Sequence, residues 1–325
     1  MIKVFYFFVF VFAQDIIGHE IHQDHLSAFI GEIYCQDSLF LQCFHPNSNG
    51  GAIHSEVPTF IIGCTFKWCS GINGGSVFLA AQFIIRDSCF SRGAAKSGGF
   101  IAYSVSEECI LVISRTSFII SSSEFDSVIS SGKSFLIPIS IDNMNCSRLS
   151  CTNTGSISIE SKEINISFLE FSQSTATNIG SITVGSQGFV RIFWANFHHI
   201  SCLAPFYICP PCVMNHCTFQ SFFLHSQHKF SAFFRAKIEL ISCISDFQMP
   251  NSANVVLQNH TITNIQHESV TCCNILNSCT VPTKKEKSTF LGIILSFTIG
   301  ISLPVFLYYI NGYVNTRTYP NKRDQ

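Results

Sequence analysis

The residues best suited to chemistry in this chain are a cluster of cysteines near its middle. Cys209 and Cys212 have the CxxC spacing of thiol–disulfide sites, and together with His216 and Cys217 they offer a set of zinc ligands. A redox CxxC motif begins a helix in a βαβ unit, whereas here two prolines fill the gap within a strand-rich region. We therefore expect these thiols to pair in an oxidising compartment rather than to hold a metal, and we predict no cofactor.

The composition favours a secreted or membrane-bound protein. Of the 325 residues, 47% are hydrophobic and 12% are charged, whereas about a quarter are charged in a typical soluble domain. The net charge of −1 supplies no basic surface for nucleic acid, so we predict no nucleic-acid partner. The 16 cysteines, an even number, indicate an oxidising compartment.

Both ends of the chain carry apolar segments. Residues 1–13 combine one lysine, a short apolar run and a small residue at the expected cut, which predicts a signal peptide. Residues 290–310 contain no charge and are long enough for a helix to cross a hydrocarbon core of roughly 30 Å. We predict a type I single-pass plasma-membrane protein, with an extracellular ectodomain at 14–283, a basic linker at 284–289 and a cytoplasmic tail at 311–325.

The predicted span also carries three small residues on one helix face. Gly292, Ser296 and Gly300 recur at four-residue spacing. This pattern allows two helices to approach each other closely. The face therefore allows self-association, although glycine and serine are also ordinary residues of membrane spans, and the sequence leaves both readings open.

The ectodomain sequence repeats itself with a step of 22 to 28 residues. The segment NGGAIHSEVPTFIIGCTF at residues 49–66 returns as NGGSVFLAAQFIIRDSCF at residues 73–90, and one double step of 53 residues spans a weakened copy at residues 141–151. The paired glycines are Gly50, Gly51, Gly74, Gly75, Gly98 and Gly99. The phenylalanines that close the repeats are Phe40, Phe66, Phe90, Phe118, Phe171, Phe197, Phe219 and Phe247. Recurrence of one unit at this interval indicates a solenoid.

The pattern inside each repeat predicts the kind of solenoid. Stretches such as FIIRDSCF, SISIE and INISF alternate or are β-branched, as strands are, and no repeat contains an amphipathic run of helix length. Such units fit an all-β, right-handed parallel β-helix of about nine or ten coils, stacked about 4.8 Å apart, plus one C-terminal transmembrane helix. The phenylalanines would form an interior aromatic ladder, and the glycine pairs would lie at a corner.

Two aspartates occupy equivalent positions in this repeat. Asp37 and Asp87 both lie three residues before a closing phenylalanine, two coils apart, which corresponds to about 10 Å. That separation suits an inverting carboxylate pair. Uronate-cleaving enzymes need clustered aspartates with Arg or Lys, however, and no second residue here supports the role. We predict turn or surface positions for both aspartates, and no enzymatic activity.

The glycine repeats resemble a known pattern. GGA[IVL] followed by FxxN marks the polymorphic outer-membrane proteins of chlamydiae, and similar repeats fill trichomonad surface proteins. Residues 50–53, GGAI, match in full, whereas Cys43 and Cys69 stand where the second motif has its Asn. The resemblance covers residues 30–270. It implies a surface location and an adhesive role, with no catalytic residues.

Cys43 and Cys69 occupy the same position in neighbouring repeats, three residues after a phenylalanine. Their α-carbons would then lie about 5 Å apart, within the range of a disulfide. A stack of free buried thiols is the alternative, because unpaired cysteine packs as a small apolar residue. The sequence leaves both arrangements open.

Glycosylation is expected on the ectodomain. Asn145, Asn165 and Asn259 each begin an N-x-S/T sequon. In a lumenal domain such sequons meet the glycosylation machinery. We expect at least one of the three to be modified.

Three classes of function fit these features. We expect a non-catalytic surface protein whose ectodomain mediates adhesion to, or recognition of, a host-cell or matrix protein or a glycan. A carbohydrate-active β-helix enzyme, a lyase or hydrolase, would need convergent carboxylates. A passive surface-coat protein is the third class, and no feature of the sequence separates it from the first.

Overall fold

β-Strands are the only regular elements in the part of the chain that the structure describes. This computed structural model describes residues 14–105, 109–126, 128–132, 137–152, 156–185, 188–202, 204–224, 237–248 and 255–263. The chain divides into two compact units, Met1–Val281 and Pro282–Gln325, and all described residues belong to the first. The prediction of an all-β fold is confirmed.

The predicted membrane-related segments lie outside the described residues. They are the signal peptide at residues 1–13 and the span at residues 290–310, with its face of Gly292, Ser296 and Gly300. Among the described residues, no helix is long and apolar enough to cross a bilayer. The C-terminal transmembrane helix therefore stays a prediction.

The strands are mostly three to five residues long at the ends of the described chain and longer in its middle. The first ten are β1 (Gln14–Ile17), β2 (Glu20–His22), β3 (Leu26–Ala28), β4 (Ile33–Gln36), β5 (Leu39–Leu41), β6 (Phe44–His45), β7 (Ile53–Ser55), β8 (Thr59–Ile62), β9 (Thr65–Lys67) and β10 (Ser70–Asn73). The next ten are β11 (Val77–Leu79), β12 (Phe83–Arg86), β13 (Cys89–Ser97), β14 (Ile101–Tyr103), β15 (Leu111–Phe125), β16 (Ile129–Ser131), β17 (Pro138–Cys151), β18 (Ile157–Ile159), β19 (Glu163–Ala176) and β20 (Ile179–Val184). The remainder are β21 (Phe189–Phe193), β22 (Asn196–Cys202), β23 (Ala204–Ile208), β24 (Cys212–Asn215), β25 (Thr218–Leu224), β26 (Ile238–Ile241), β27 (Ile244–Ser245), β28 (Val255–Gln258) and β29 (Thr261–Ile262).

Parallel pairing between successive coils makes the chain a parallel β-solenoid, as predicted. The strands form one sheet of 21 and one of 8. In the smaller sheet, β3, β7, β11, β14, β16, β18, β20 and β23 follow one another, so each coil contributes one strand. Eight such strands enclose seven full turns, fewer than the nine or ten coils that the sequence predicts. The difference arises because the first described coil (β1 and β2) and the last two (β26 with β27, and β28 with β29) have described strands in the larger sheet only.

The path of one coil is the same throughout, although its strands merge in the middle of the solenoid. From β7 in the smaller sheet, the chain continues through β8, β9 and β10 in the larger sheet. Further along, the part of each coil that belongs to the larger sheet is a single bent strand, namely β15, β17 or β19. The pairing of β15 with β17 skips Arg115 and Ile120, where the strand bends.

Seven of the predicted ladder phenylalanines stack in register along the interior. They are fully buried and form two runs, Phe40, Phe66, Phe90, Phe118 and then Phe171, Phe197, Phe219. Successive ring centroids are 4.6, 4.6 and 5.0 Å apart in the first run and 6.2 and 5.7 Å apart in the second. Stacked rings contribute about 0.5–1.5 kcal/mol per pair beyond the burial of their area.

The gap between the two runs is filled by Cys146. It pairs with Phe118 on one side and with Phe171 on the other, and it is fully buried. The weakened copy at residues 141–151 is therefore a regular coil whose ladder residue is not aromatic.

The prediction that Phe247 is the last ladder residue is wrong. Ser245 pairs with Phe219, so the step at this coil is 26 residues rather than 28. Phe247 lies two residues later, half-buried, with its ring centroid 5.6 Å from that of Phe222. The prediction compared repeats by residue type alone and so selected the nearest phenylalanine. The backbone pairing instead places Ser245 in register.

The coils bend at two recurring positions where the backbone is left-handed. The first corner, three residues before the ladder position, is formed by Gly18, Asp37, Gly63, Asp87, Arg115, Asn143, Phe168, Trp194, His216, Ser242 and Asn259. The second corner, two residues after the ladder position, is formed by Gln23, Gln42, Trp68, Arg92, Ile120, Arg148, Gln173, His199 and Ser221. For a side chain other than glycine this conformation costs about 1–2 kcal/mol.

Hydrogen bonds between coils offset the cost of the corners. The amide of Trp68 donates to the carbonyl of Ser91 at 3.1 Å, and that of Trp194 donates to the carbonyl of Asn215 at 3.0 Å. The bend thus keeps the ladder of backbone bonds intact while it turns the corner side chains outward.

The glycine pairs form a third corner, at the entry to the smaller sheet. Gly50, Gly74 and Gly98 have φ angles of 68°, 67° and 61°. The second glycine of each pair meets a different constraint, because a Cβ on Gly75 would lie 2.2 Å from the carbonyl oxygen of Gly99 and 2.6 Å from that of Ala94. Close backbone approach therefore requires glycine here, as the sequence predicts.

Candidate functional site

The predicted carboxylates do not converge. Asp37 and Asp87 both stand at the first corner, with Gly63 between them. The guanidinium of Arg115 binds the carboxylate of Asp87 at two points, 2.6 and 2.7 Å, and its hydrogen bonds lower the pKa of Asp87. Asp37 instead accepts a 3.3 Å hydrogen bond from the amide of Gln36. Asp87 is therefore one half of an ion pair and is not poised as an acid.

The cysteine cluster is divided between the interior and the surface. Cys212 and Cys217 point into the core, whereas the His216 ring lies at the first corner, stacked on Trp194. Burial raises the pKa of the Cys212 thiol well above its usual value, which is the reverse of what a redox nucleophile needs. Within the described ranges, no group of three His, Cys, Asp or Glu side chains could hold a metal ion.

Cys43 and Cys69 are neighbours, as their spacing predicts. Both are buried and present as thiols, and the residues that follow them, Phe44 and Ser70, are register partners. The two cysteines therefore stand opposite one another in adjacent coils. A disulfide between them stays a prediction.

The structure brings together aromatic side chains that the sequence does not reveal as a group. Phe168, Trp194 and His216 occupy the first corner in three successive coils. The Trp194 and His216 rings are stacked at 4.1 Å and 17°. Phe168 is 40% exposed and Trp194 is 42% exposed. The stack therefore presents apolar surface to solvent on a rigid part of the solenoid.

A polar network lies directly beside this stack, on the strand segment between the two corners. The Asn196 amide donates to Oε2 of Glu170 at 3.0 Å, and Nε2 of His198 contacts Oε1 of the same carboxylate. Nδ1 of His198 lies 3.1 Å from Nδ1 of His199. The side chains of Glu170 and His198 are each 21% exposed. The carboxylate is thus fixed in orientation yet still accessible.

We refer to these seven residues together as the central surface: Phe168, Glu170, Trp194, Asn196, His198, His199 and His216. The corner aromatics and the network lie only two residues apart in each coil. Aromatic rings can pack against the C–H face of a sugar or a side chain, while fixed carboxylate, amide and imidazole groups bind hydroxyl or amide groups. Such an arrangement can bind a polar ligand. General acid–base chemistry would also need a substrate group positioned against the Glu170–His198 pair.

A shallow groove of small side chains runs along the solenoid beyond the second corner. Six residues in register from coil to coil form its floor: Ser70, Ala94, Ser122, Ser150, Thr175 and Ser201. Two hollows along it have volumes of about 480 Å³ each. Because the side chains are short, their hydroxyl groups are the main functional groups that the groove offers to a ligand.

A second exposed tryptophan lies at the second corner, far along the chain from the central surface. Trp68 is 39% exposed. Lys67 Nζ lies 4.2 Å from its ring centroid and the Arg92 guanidinium carbon lies 5.1 Å away, both within cation–π distance. Trp68 is almost as exposed as Trp194, but its chemical environment differs, because two cations already engage its ring.

The three sequons differ in exposure. Asn145 is buried on β17, between Ser117 and Glu170 of the adjacent coils. Asn165 is half-buried and accepts a 3.3 Å hydrogen bond from Arg191. Asn259 is exposed at the first corner.

We expect Asn259 to carry a glycan and Asn145 to carry none in the folded protein. A glycan on Asn145 would have to fit between two paired coils, whereas Asn259 faces solvent. The Asn259→Gln variant should show a smaller shift in gel mobility on glycosidase treatment than the wild type does. The Asn145→Gln variant should show the same shift as the wild type. An unchanged pattern for Asn259→Gln would contradict this expectation.

No protein-family model, curated protein or solved structure matches this chain. The likeness of its glycine repeats to chlamydial and trichomonad surface proteins therefore rests on the short motifs alone. What the described residues establish independently is a parallel β-solenoid with an aromatic and polar surface on its central coils.

Proposed function

We propose that this chain is a single-pass cell-surface protein whose β-solenoid ectodomain binds a partner without catalysis and so mediates adhesion or recognition. The central surface is the observation that carries the proposal. Its exposed aromatic stack and fixed carboxylate are built on a sheet whose coils are joined by backbone hydrogen bonds. The surface location rests on the predicted signal peptide and span.

Carbohydrate is the ligand class that fits the central surface best. Sugars combine C–H faces, which pack on aromatic rings, with hydroxyl groups, which donate to carboxylates and accept from amides and imidazoles. Glu170 and His198 supply those polar groups within one network, in which the buried Asn196 amide orients the carboxylate. The hydroxyl-lined groove beyond the second corner would extend the contact along the axis. Weak contacts of this kind gain strength when many copies stand on one membrane.

The proposal predicts loss of adhesion when the corner aromatics are removed. Beads coated with the full-length chain should adhere to cells or matrix, and the double variant Phe168→Ser, Trp194→Ser should reduce adhesion roughly tenfold, since two ring contacts contribute about 1–3 kcal/mol. A glycan array probed with the same proteins would identify the sugar. The readout is the number of bound beads per area.

Trp68→Ser is the matched control, because Trp68 is a corner tryptophan of almost the same exposure. It should leave adhesion unchanged. Equal loss in the control would contradict a role for the central surface, and unaltered adhesion of the double variant would do the same.

The other two classes of function give different results in this assay. Cleavage of uronate polymers that is lost on replacing Asp37 or Asp87 would support a carbohydrate-active enzyme. Neither adhesion nor cleavage would support a passive coat protein.

A further inference from the structure

A second pair of cysteines, which the repeat spacing does not reveal, lies in two adjacent coils at the other end of the solenoid. Cys217 and Cys243 each lie two residues before the ladder position. The residues that follow them, Thr218 and Ile244, are register partners, so the two cysteines stand opposite one another in adjacent coils. Both are fully buried.

The register brings the two thiols into the same part of this interior, in adjacent coils. Each thiol also makes long hydrogen bonds to backbone carbonyls, from Cys217 to Asn215 at 3.6 Å and from Cys243 to Met214 at 3.4 Å. Adjacent parallel strands lie about 4.8 Å apart, which is within the α-carbon range of a disulfide.

We propose that Cys217 and Cys243 form a disulfide that joins two neighbouring coils near the C-terminal end of the solenoid. Cys43 and Cys69 are likewise buried and opposite one another in adjacent coils near the N-terminal end. The two pairs would then hold the solenoid at both ends.

The chemistry is an exchange with a small disulfide such as glutathione disulfide. The exchange takes place during folding, before the two coils close over the thiols. The thiolate of one cysteine attacks one sulfur of the oxidant and releases the first glutathione thiolate, and the other cysteine then loses its proton and attacks the mixed disulfide, releasing the second. Two protons pass from the cysteines to the leaving thiolates, and the oxidant gains two electrons.

Terminal coils gain most from such a link. Each coil of a solenoid is stabilised by its neighbours, and a coil at an end has a neighbour on one side only. Opening of the end coils is therefore the easiest local unfolding event. A covalent bond between two coils near an end restricts that opening.

The chain contains a matched control for this proposal. Cys64 occupies the same position before the ladder as Cys217 and Cys243, and it is equally buried. Its register partners in the two adjacent coils, Ser38 and Ser88, have no thiol. Serine is therefore accommodated at this position, and Cys64 has no cysteine opposite it.

Mass spectrometry tests the proposal on the full-length chain folded with oxidised and reduced glutathione. Free thiols are alkylated in denaturant, and the unreduced protein is digested. A linked peptide pair containing Cys217 and Cys243 is expected, with Cys64 alkylated. Alkylation of both Cys217 and Cys243 without reduction would overturn the proposal, and so would a linkage of either residue to Cys64.

A second measurement follows stability. The double variant Cys217→Ser, Cys243→Ser should melt roughly 5–10 °C below the wild type without reductant, and at the same temperature as the wild type with reductant. Cys64→Ser should show no such dependence on reductant. An equal difference between double variant and wild type in both conditions would attribute the loss to packing and overturn the proposal.

Discussion

Gly75→Ala should lower the free energy of unfolding by about 3 kcal/mol or more, one of the two largest effects expected of a single substitution here. The added Cβ would lie 2.2 Å from the carbonyl oxygen of Gly99 and 2.6 Å from that of Ala94. Both contacts are with backbone, which cannot rotate away as a side chain can. Relief would require two coils to separate, with loss of the hydrogen bond from the Gly75 amide to Gly98. Denaturant unfolding measures the change.

The adjacent substitution Ser76→Ala serves as the control. Ser76 is also buried, but the equivalent residue of the preceding coil, Ala52, already is alanine. We expect its effect to stay below about 1 kcal/mol. Similar unfolding midpoints for the two variants would show that the close approach at Gly75 is not the constraint that the structure indicates.

Phe90→Ala should destabilise the chain by about 3–5 kcal/mol, because it opens a cavity in the middle of the aromatic ladder. The Phe90 ring is fully buried and stacks between Phe66 and Phe118, at 4.6 and 5.0 Å. A domain of typical stability has about 5–15 kcal/mol in total. The variant is therefore expected to be close to unfolding at 37 °C, as measured by thermal melting.

Phe44→Ala makes the same chemical change at a side chain that is 61% exposed. Its effect should be under about 1 kcal/mol. If both variants melted alike, the ladder would contribute little to stability, and the solenoid would depend mainly on its hydrogen bonds between coils.

The repeat made the solenoid predictable, because its register depends on the same residue types in every coil. The glycine pairs at Gly50 and Gly74 and the ladder at Phe66 and Phe90 recur after 24 residues, and the backbone pairs them at that step. The prediction failed at Phe247, where step length varies and residue type no longer identifies the position in register.

The corners could not be predicted from residue type. Glycine and asparagine usually signal a left-handed backbone, yet Trp194, Phe168 and Ile120 adopt it here. Gly63, Asp87 and Asn143 carry the usual signal at the first corner, but residue type alone does not identify every corner.

The central surface could not be recognised in the sequence for a related reason. Glu170 and His198 are separated by 28 residues in the chain, and only the pairing of β19 with β22 brings them together. Phe168 and Trp194 likewise become neighbours only when the first corner is known. The cysteine pair Cys43 and Cys69 was accessible from sequence because both residues have the same distance from a ladder phenylalanine.

At the first and second corners, the backbone determines the shape of the solenoid, whereas the side chains determine much of its surface chemistry. Twenty positions share one backbone conformation, and they include acidic, basic, aromatic, aliphatic and amide side chains. Since the bend is held by main-chain bonds, mutation at these positions can alter what the molecule touches without altering how it folds. Selection could therefore diversify the exterior of such a protein rapidly, by point changes alone, at little risk to the integrity of the solenoid.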